Sequence, residues 1–144
     1  MDQSGPTLTV FLDSSVLFTA VNSPSGGSSK LFTLKKLKLF TSTVVLAETE
    51  RNVRLKLESY HLKRFFKLTQ QLVISNTTPN HKAIAQAEHV IVKKDAVILA
   101  VAKHSTCQYL ATLDQKHFFT PKVAAYLKPK TVVTPKQLIS LTSI

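Results

Sequence analysis

The chain has 144 residues, 44% of them hydrophobic and 19% charged, which excludes a disordered polypeptide and suits a single compact domain over 1–144 with Met1 to Pro6 as a flexible tail. No apolar run reaches the roughly 18 residues that span a bilayer, Asp2 stands where a secretory signal would be positive, and Cys107 has no internal disulfide partner, so a cytoplasmic, reducing setting is expected. Nineteen Lys and Arg against eight Asp and Glu give a formal net charge of +11, which favours a polyanionic partner through counterion release but is also what a solvated lysine surface would give.

Leu8 to Leu12 is a short apolar run whose Thr, Val and Phe content predicts a buried strand ending at Asp13. Asn22 to Ser29 (NSPSGGSS) is turn-rich and supplies capping serines for a helix starting near Ser29. Leu39 to Ser42 predicts a second strand. Thr43 then caps a helix to about Leu57, with Leu46, Val53 and Leu57 on one stripe. His61 to Gln71 predicts another helix and Leu72 to Ser75 a third strand. Pro79 opens a helix through Ile84 to His89. Asp95 to Lys103 is apolar on nearly every side from Ala96 to Ala102, so that helix belongs inside the core. Gln108 to Leu113 is a fourth strand ending at Asp114. Pro121 to Leu127 predicts a short helix, Thr131 to Val133 a fifth strand and Pro135 to Leu141 a closing helix. Strands alternating with helices imply an α/β fold with a parallel sheet covered on both faces.

The eight acids are Asp2, Asp13, Glu48, Glu50, Glu58, Glu88, Asp95 and Asp114. Asp13 and Asp114 directly follow apolar strands, so both emerge at the carboxyl edge of a parallel sheet, where open α/β folds build their sites. Asp95 opens the buried helix, and Glu48 lies about one turn into the helix after the second strand. With right-handed crossovers, all four can meet on one rim. Each has a plainer explanation alone: a turn residue for Asp13 or Asp114, a cap or dipole partner for Asp95, a pairing with Arg51 or Asn52 for Glu48. Taken together, half of the chain's carboxylates would share one cleft.

Such a cleft needs neutralising. Two carboxylates about 6 Å apart at an effective dielectric near 20 repel by roughly 3 kcal/mol, and four make six pairs, a cost comparable to the whole stability of a domain. Bound cations, shared protons or lysines must offset it. Hard oxygen ligands suit Mg²⁺ or Mn²⁺, which activate water and stabilise a phosphodiester under attack.

Four stretches carry a family resemblance: Phe11-Leu12-Asp13-Ser14-Ser15-Val16-Leu17, Ala47-Glu48, Lys94-Asp95-Ala96-Val97-Ile98-Leu99-Ala100-Val101-Ala102, and Leu110-Ala111-Thr112-Leu113-Asp114-Gln115-Lys116-His117-Phe118. The chain resembles the PIN domain, most nearly the VapC-like toxin ribonucleases, over nearly its whole length. The resemblance implies a three-layer α/β/α fold with a central parallel five-stranded sheet and an acidic pocket formed by Asp13, Glu48, Asp95 and Asp114. It implies Mg²⁺- or Mn²⁺-dependent hydrolysis of RNA, with Asp13, Asp95 and Asp114 as metal ligands and Glu48 as a ligand or the group that orients the attacking water. Thr112 and Ser14 would support these ligands. A small antitoxin partner, seated in the basic cleft or in a hydrophobic groove between early helices, and a homodimer are implied as well. The chain is unusually basic for such a toxin.

Arg51, Arg54, Lys93, Lys94, Lys116 and His117 lie near the predicted rim, and Arg51, Lys94 and Lys116 are the candidates for guiding substrate phosphates. His104 and Cys107 stand three apart, but two donors do not make a zinc site, and Cys107 reads as a small buried hydrophobe. Gly26-Gly27 lacks the Lys-Ser/Thr of a phosphate loop. Phe65-Phe66 sits in a predicted amphipathic helix, which favours core packing or a partner groove over base stacking. Two other functions are compatible with this fold: a non-catalytic RNA-binding or assembly subunit, and a phosphatase with a strand-end Asp nucleophile. The second wants another acid at position 15, which is Ser.

Overall fold

Short apolar strands that cannot cover both of their faces alone recruit the intervening helices as covers, and this decides the architecture. The protein is described here by a computed structural model covering residues 7–143; the tail expected over 1–6 lies outside the described residues. Five parallel strands, β1 (Leu8–Leu12), β2 (Leu37–Ser42), β3 (Val73–Ser75), β4 (Tyr109–Ala111) and β5 (Thr131–Val133), form one sheet in the order β3-β2-β1-β4-β5. β1 is central and buried on both sides. Val10 and Leu12 join one core cluster with Leu37, Leu39 and Ala111, whereas Phe11 joins the other with Leu110, the two-residue alternation of a strand.

The first cluster is closed by α1 (Ser14–Asn22), α3 (Thr43–Lys56), α4 (Ser59–Thr69) and α9 (Pro135–Thr142), through Val16, Leu17, Val53, Phe65 and Leu138. The second is closed by α5 (His81–Glu88), α6 (Lys93–His104) and α8 (Pro121–Leu127), through Ala87, Leu99, Val123 and Leu127. The short α2 (Gly27–Lys30) runs into a 3-10 turn over Leu31–Thr33, and α7 (Gln115–Phe118) is a single turn after β4. The three-layer α/β/α fold with a parallel five-stranded sheet is therefore as expected. No described helix is long and apolar enough to cross a membrane.

Differences from the sequence expectation are local. The helix after β2 is capped by Ser42, whose Oγ accepts from Val45 N at 3.2 Å, and not by Thr43, which is already its first residue. Pro79 does not open α5, because Asn80 takes the cap by accepting from Ala83 N at 2.8 Å. The helix expected near Ser29 closes within one turn plus the 3-10 segment. α1 and α7 have no counterpart in the expectation. Both follow a site aspartate, and both place that aspartate at the N-cap position.

Candidate active site

The sheet order creates the place where the acids meet. From β1 the chain proceeds outward through β2 and β3, and from β4 it proceeds outward the other way through β5. Between the adjacent β1 and β4 the connections diverge, which opens a crevice at their carboxyl ends. The register pairs Leu12 with Ala111, so the next residues, Asp13 and Thr112, emerge side by side.

A hydrogen-bonded network fixes Asp13 there, only 3% exposed. Its Oδ2 accepts from Thr112 Oγ1 at 2.8 Å and from Ser15 Oγ at 2.8 Å. Those hydroxyls are aimed in turn by backbone amides: Asp114 N donates to Thr112 Oγ1 at 3.1 Å and Leu113 N donates to Ser15 Oγ at 3.0 Å. Asp13 occupies the N-cap position of α1 but makes no side-chain cap bond. A strong capping residue that leaves its helix uncapped has its carboxylate committed elsewhere, the local departure expected at a functional site.

Glu48 enters from α3, where its Oε2 accepts from Ser14 Oγ at 2.8 Å. Asp95 lies in the first turn of α6, where a carboxylate complements the helix dipole. Its Oδ2 is 3.4 Å from Lys94 Nζ, but that lysine side chain is 70% exposed and screens it weakly. Asp114 caps α7: its side chain accepts from His117 N at 3.1 Å, and its Oδ2 lies 2.9 Å from His117 Nδ1. All four acids line one pocket of about 220 Å³, together with Ser14, Ser15, Phe18, Asn52, Lys56 and Lys94. A larger cavity of about 320 Å³, lined by Phe11, Phe40, Pro79, Ala100 and Val101 among others, holds no carboxylate.

The four acids thus converge as the strand ends and helix starts suggested, with Thr112 and Ser14 bonded directly to Asp13 and Glu48. Of the three phosphate candidates, Lys94 lines the pocket, whereas Arg51 and Lys116 are exposed and outside its lining. Asn52 and Lys56 stand where Arg51 was expected. They follow Glu48 at i+4 and i+8 on α3 and so share its face. Ser15, Lys56 and Phe18 were not anticipated, and Asn52 was read only as a possible partner of Glu48. The helical spacing from Glu48 pointed to Asn52 and Lys56, but only alongside Arg51 at i+3. Lys56 Nζ also sits 6.0 Å from the centroid of the Phe18 ring.

The electrostatics are unbalanced toward negative charge. Burial raises the Asp95 carboxyl above its ordinary value, and the neighbouring Asp13 and Asp114 charges push the same way against the lowering by Lys94. Burial also opposes ionisation of Asp114, but its hydrogen bonds to the His117 side chain and backbone outweigh this and leave it lowered. The consequences for stability have opposite signs. Asp95, raised on folding, contributes stability that is fully present below its unfolded value near 3.8 and is lost as pH climbs through its folded value. Asp114, lowered on folding, contributes stability above that value and loses it as pH falls through its own depressed value. In chelator-treated protein, the melting temperature of Asp95→Asn relative to the parent is therefore expected to rise between pH 4 and pH 7. A difference that stays flat or falls over this range would show that Asp95 carries no such burden.

The family model described as the PIN domain matches residues 10–122, from within β1 to the start of α8. No curated protein matches in sequence. Among solved structures, PAE2754 from Pyrobaculum aerophilum superposes with a TM-score of 0.63 at 16% identity, covering 94% of this chain and 96% of that one. A chain of VapBC2 from Rickettsia felis, solved bound to a DNA fragment from the promoter of the pair, gives 0.64 at 16% identity, with 88% and 98% covered. VapC20 from Mycobacterium tuberculosis, a sarcin–ricin loop cleaving toxin, gives 0.55 at 17% identity, with 74% and 91% covered. These likenesses establish a common fold, and the family match, spanning most of the chain and all four acids of the pocket, establishes membership: the protein belongs to the PIN domain family.

Proposed function

We propose that this chain is a single-domain, metal-dependent endoribonuclease that works as the toxin of a toxin–antitoxin pair. The observation that carries the reading is the meeting of Asp13, Glu48, Asp95 and Asp114 in one pocket of about 220 Å³. The donor set fits a divalent cation. The carboxylates are hard oxygen donors of the kind Mg²⁺ and Mn²⁺ take, and four of them line the pocket against two cationic side chains, Lys56 and Lys94. Asp13, Asp95 and Asp114 would hold the ion, which when bound activates water and stabilises charge on the phosphodiester under attack.

The chain's own residues do the rest. Thr112 and Ser15 hold the Asp13 carboxylate in one orientation, so little side-chain freedom is lost when it engages a ligand. Glu48, aimed by Ser14, takes the proton from the attacking water at its carboxylate. Lys56, Asn52 and Lys94 on the pocket wall contact phosphate oxygens, with Lys116 and Arg51 drawing the strand in from farther out. The formal charge of +11 supplies the long-range attraction for RNA. The toxin assignment rests on the family together with the VapBC2 and VapC20 folds, and it carries with it a small antitoxin partner and a homodimer.

The purified chain is expected to cut single-stranded or structured RNA with Mn²⁺ or Mg²⁺ present and to stop when EDTA is added. Gel analysis of labelled RNA reads this directly. Cleavage that persists unchanged in EDTA, or none under any divalent ion, would remove the proposal.

A further inference from the structure

The residue at the site that the four-acid pattern leaves without a role is His117. We propose that His117 is a nitrogen ligand of the metal centre, so that the site is a mixed carboxylate–imidazole centre that prefers Mn²⁺ to Mg²⁺. This rests on the metal-dependent reading above and specifies it further. Asp114, the N-cap of α7, and His117, within its single turn, are three apart, and their side chains meet at 2.9 Å. Carboxylate–x–x–histidine pairs of this kind chelate metals elsewhere.

The third donor comes from a different element. Asp95, on α6, places its Oδ2 3.8 Å from His117 Nδ1, while Asp114 Oδ2 is 2.9 Å from the same nitrogen. Donor atoms of all three residues lie within 4.8 Å of one another. An octahedral ion with bonds of about 2.1 Å separates adjacent ligand atoms by about 3 Å and opposite ones by about 4 Å, so one ion can reach all three after small adjustments. The imidazole is 25% exposed and Asp114 26%, which leaves the cluster accessible from solvent. His117 is not among the residues lining the pocket, so the ion it holds sits on the Asp95–Asp114 edge. Imidazole suits borderline transition ions, whereas Mg²⁺ favours oxygen, so the nitrogen biases the choice of metal.

A purely positioning role for His117 is the competing account, because its ring also bonds Asp114. The variant His117→Asn separates the two: its amide N–H replaces Nδ1–H toward Asp114 but offers no imidazole. Two measurements on the full chain test the inference. Pulsed EPR of the Mn²⁺-loaded parent is expected to show coupling to a directly bound imidazole nitrogen, altered by ¹⁵N-histidine labelling and lost in His117→Asn. Calorimetry is expected to show Mn²⁺ affinity falling by more than about 100-fold in that variant, beyond what loss of a supporting group costs, with Mg²⁺ affinity reduced much less. Mn²⁺ bound without nitrogen coupling, or Mn²⁺ selectivity unchanged in the variant, overturns the inference and leaves the nuclease reading standing. Failure of the parent to bind either ion overturns both. Absence of nitrogen coupling in the parent overturns the inference even if the variant does not fold.

Discussion

Replacing Asp13 with Asn is expected to reduce RNA cleavage by more than about 100-fold, beyond the upper end of what loss of a mere supporting group costs a metal site. The substitution removes one negative charge and keeps the side chain's shape. Asn retains a carbonyl oxygen to accept from Thr112 and Ser15, which now hold Asp13 Oδ2 at 2.8 Å each, so the strand-to-helix junction is kept. The circular dichroism spectrum should be unchanged. Without metal the melting temperature should not fall, because Asp13 is one of the charges that raise the Asp95 carboxyl. Activity and stability are thereby separated: a pocket built to bind a cation is poorly built for stability in its absence. Purified Asp13→Asn cutting RNA as fast as the parent with Mn²⁺ present would sink the assignment.

Leu99→Ala is expected to produce the largest loss of stability among single truncations on α6, about 2–5 kcal/mol for a leucine with no accessible surface. Total stabilities are about 5–15 kcal/mol for a domain, so the variant would lose a large share of its margin. The reason lies in the helix: Ala96, Ile98, Leu99, Ala100, Val101 and Ala102 are all buried, so the neighbours of Leu99 are themselves core side chains with little room to relax into the space it leaves. Urea denaturation should show a lower midpoint with an unchanged slope. The matched truncation Leu55→Ala, at a residue 75% exposed, should stay within about 0.5 kcal/mol of the parent. A Leu99→Ala loss below that control would mean α6 is not packed between the sheet and the outer helices.

The same helix shows how much of the site was legible. Its all-round apolar content required burial, and a buried helix opening on Asp95 had to deliver that carboxylate to the interior. The strand-end positions of Asp13 and Asp114 required the carboxyl edge of the sheet. What no local rule supplied was α1. Val16, Leu17, Ala20 and Val21 are spaced for a helix, but Asp13 reads equally well as a turn residue, and its carboxylate does not bond the helix it precedes.

The amino-acid sequence alone determined the layers, the parallel sheet and the identity of the four acids, because periodicity and residue type act over a few residues and are written locally. Only the tertiary structure decided which neighbours those acids have. That Thr112 joins the local Ser15 on one oxygen of Asp13 follows from the pairing of Leu12 with Ala111. That Asn52 and Lys56, in preference to Arg51, face the pocket follows from the rotation of α3 against the sheet, since i+3 and i+4 are equal neighbours on an isolated helix. That His117, already three residues from Asp114, also reaches Asp95 depends on the first turn of α6 lying beside α7. Distances between residues far apart in the chain are set by packing, and packing is a property of the whole chain at once.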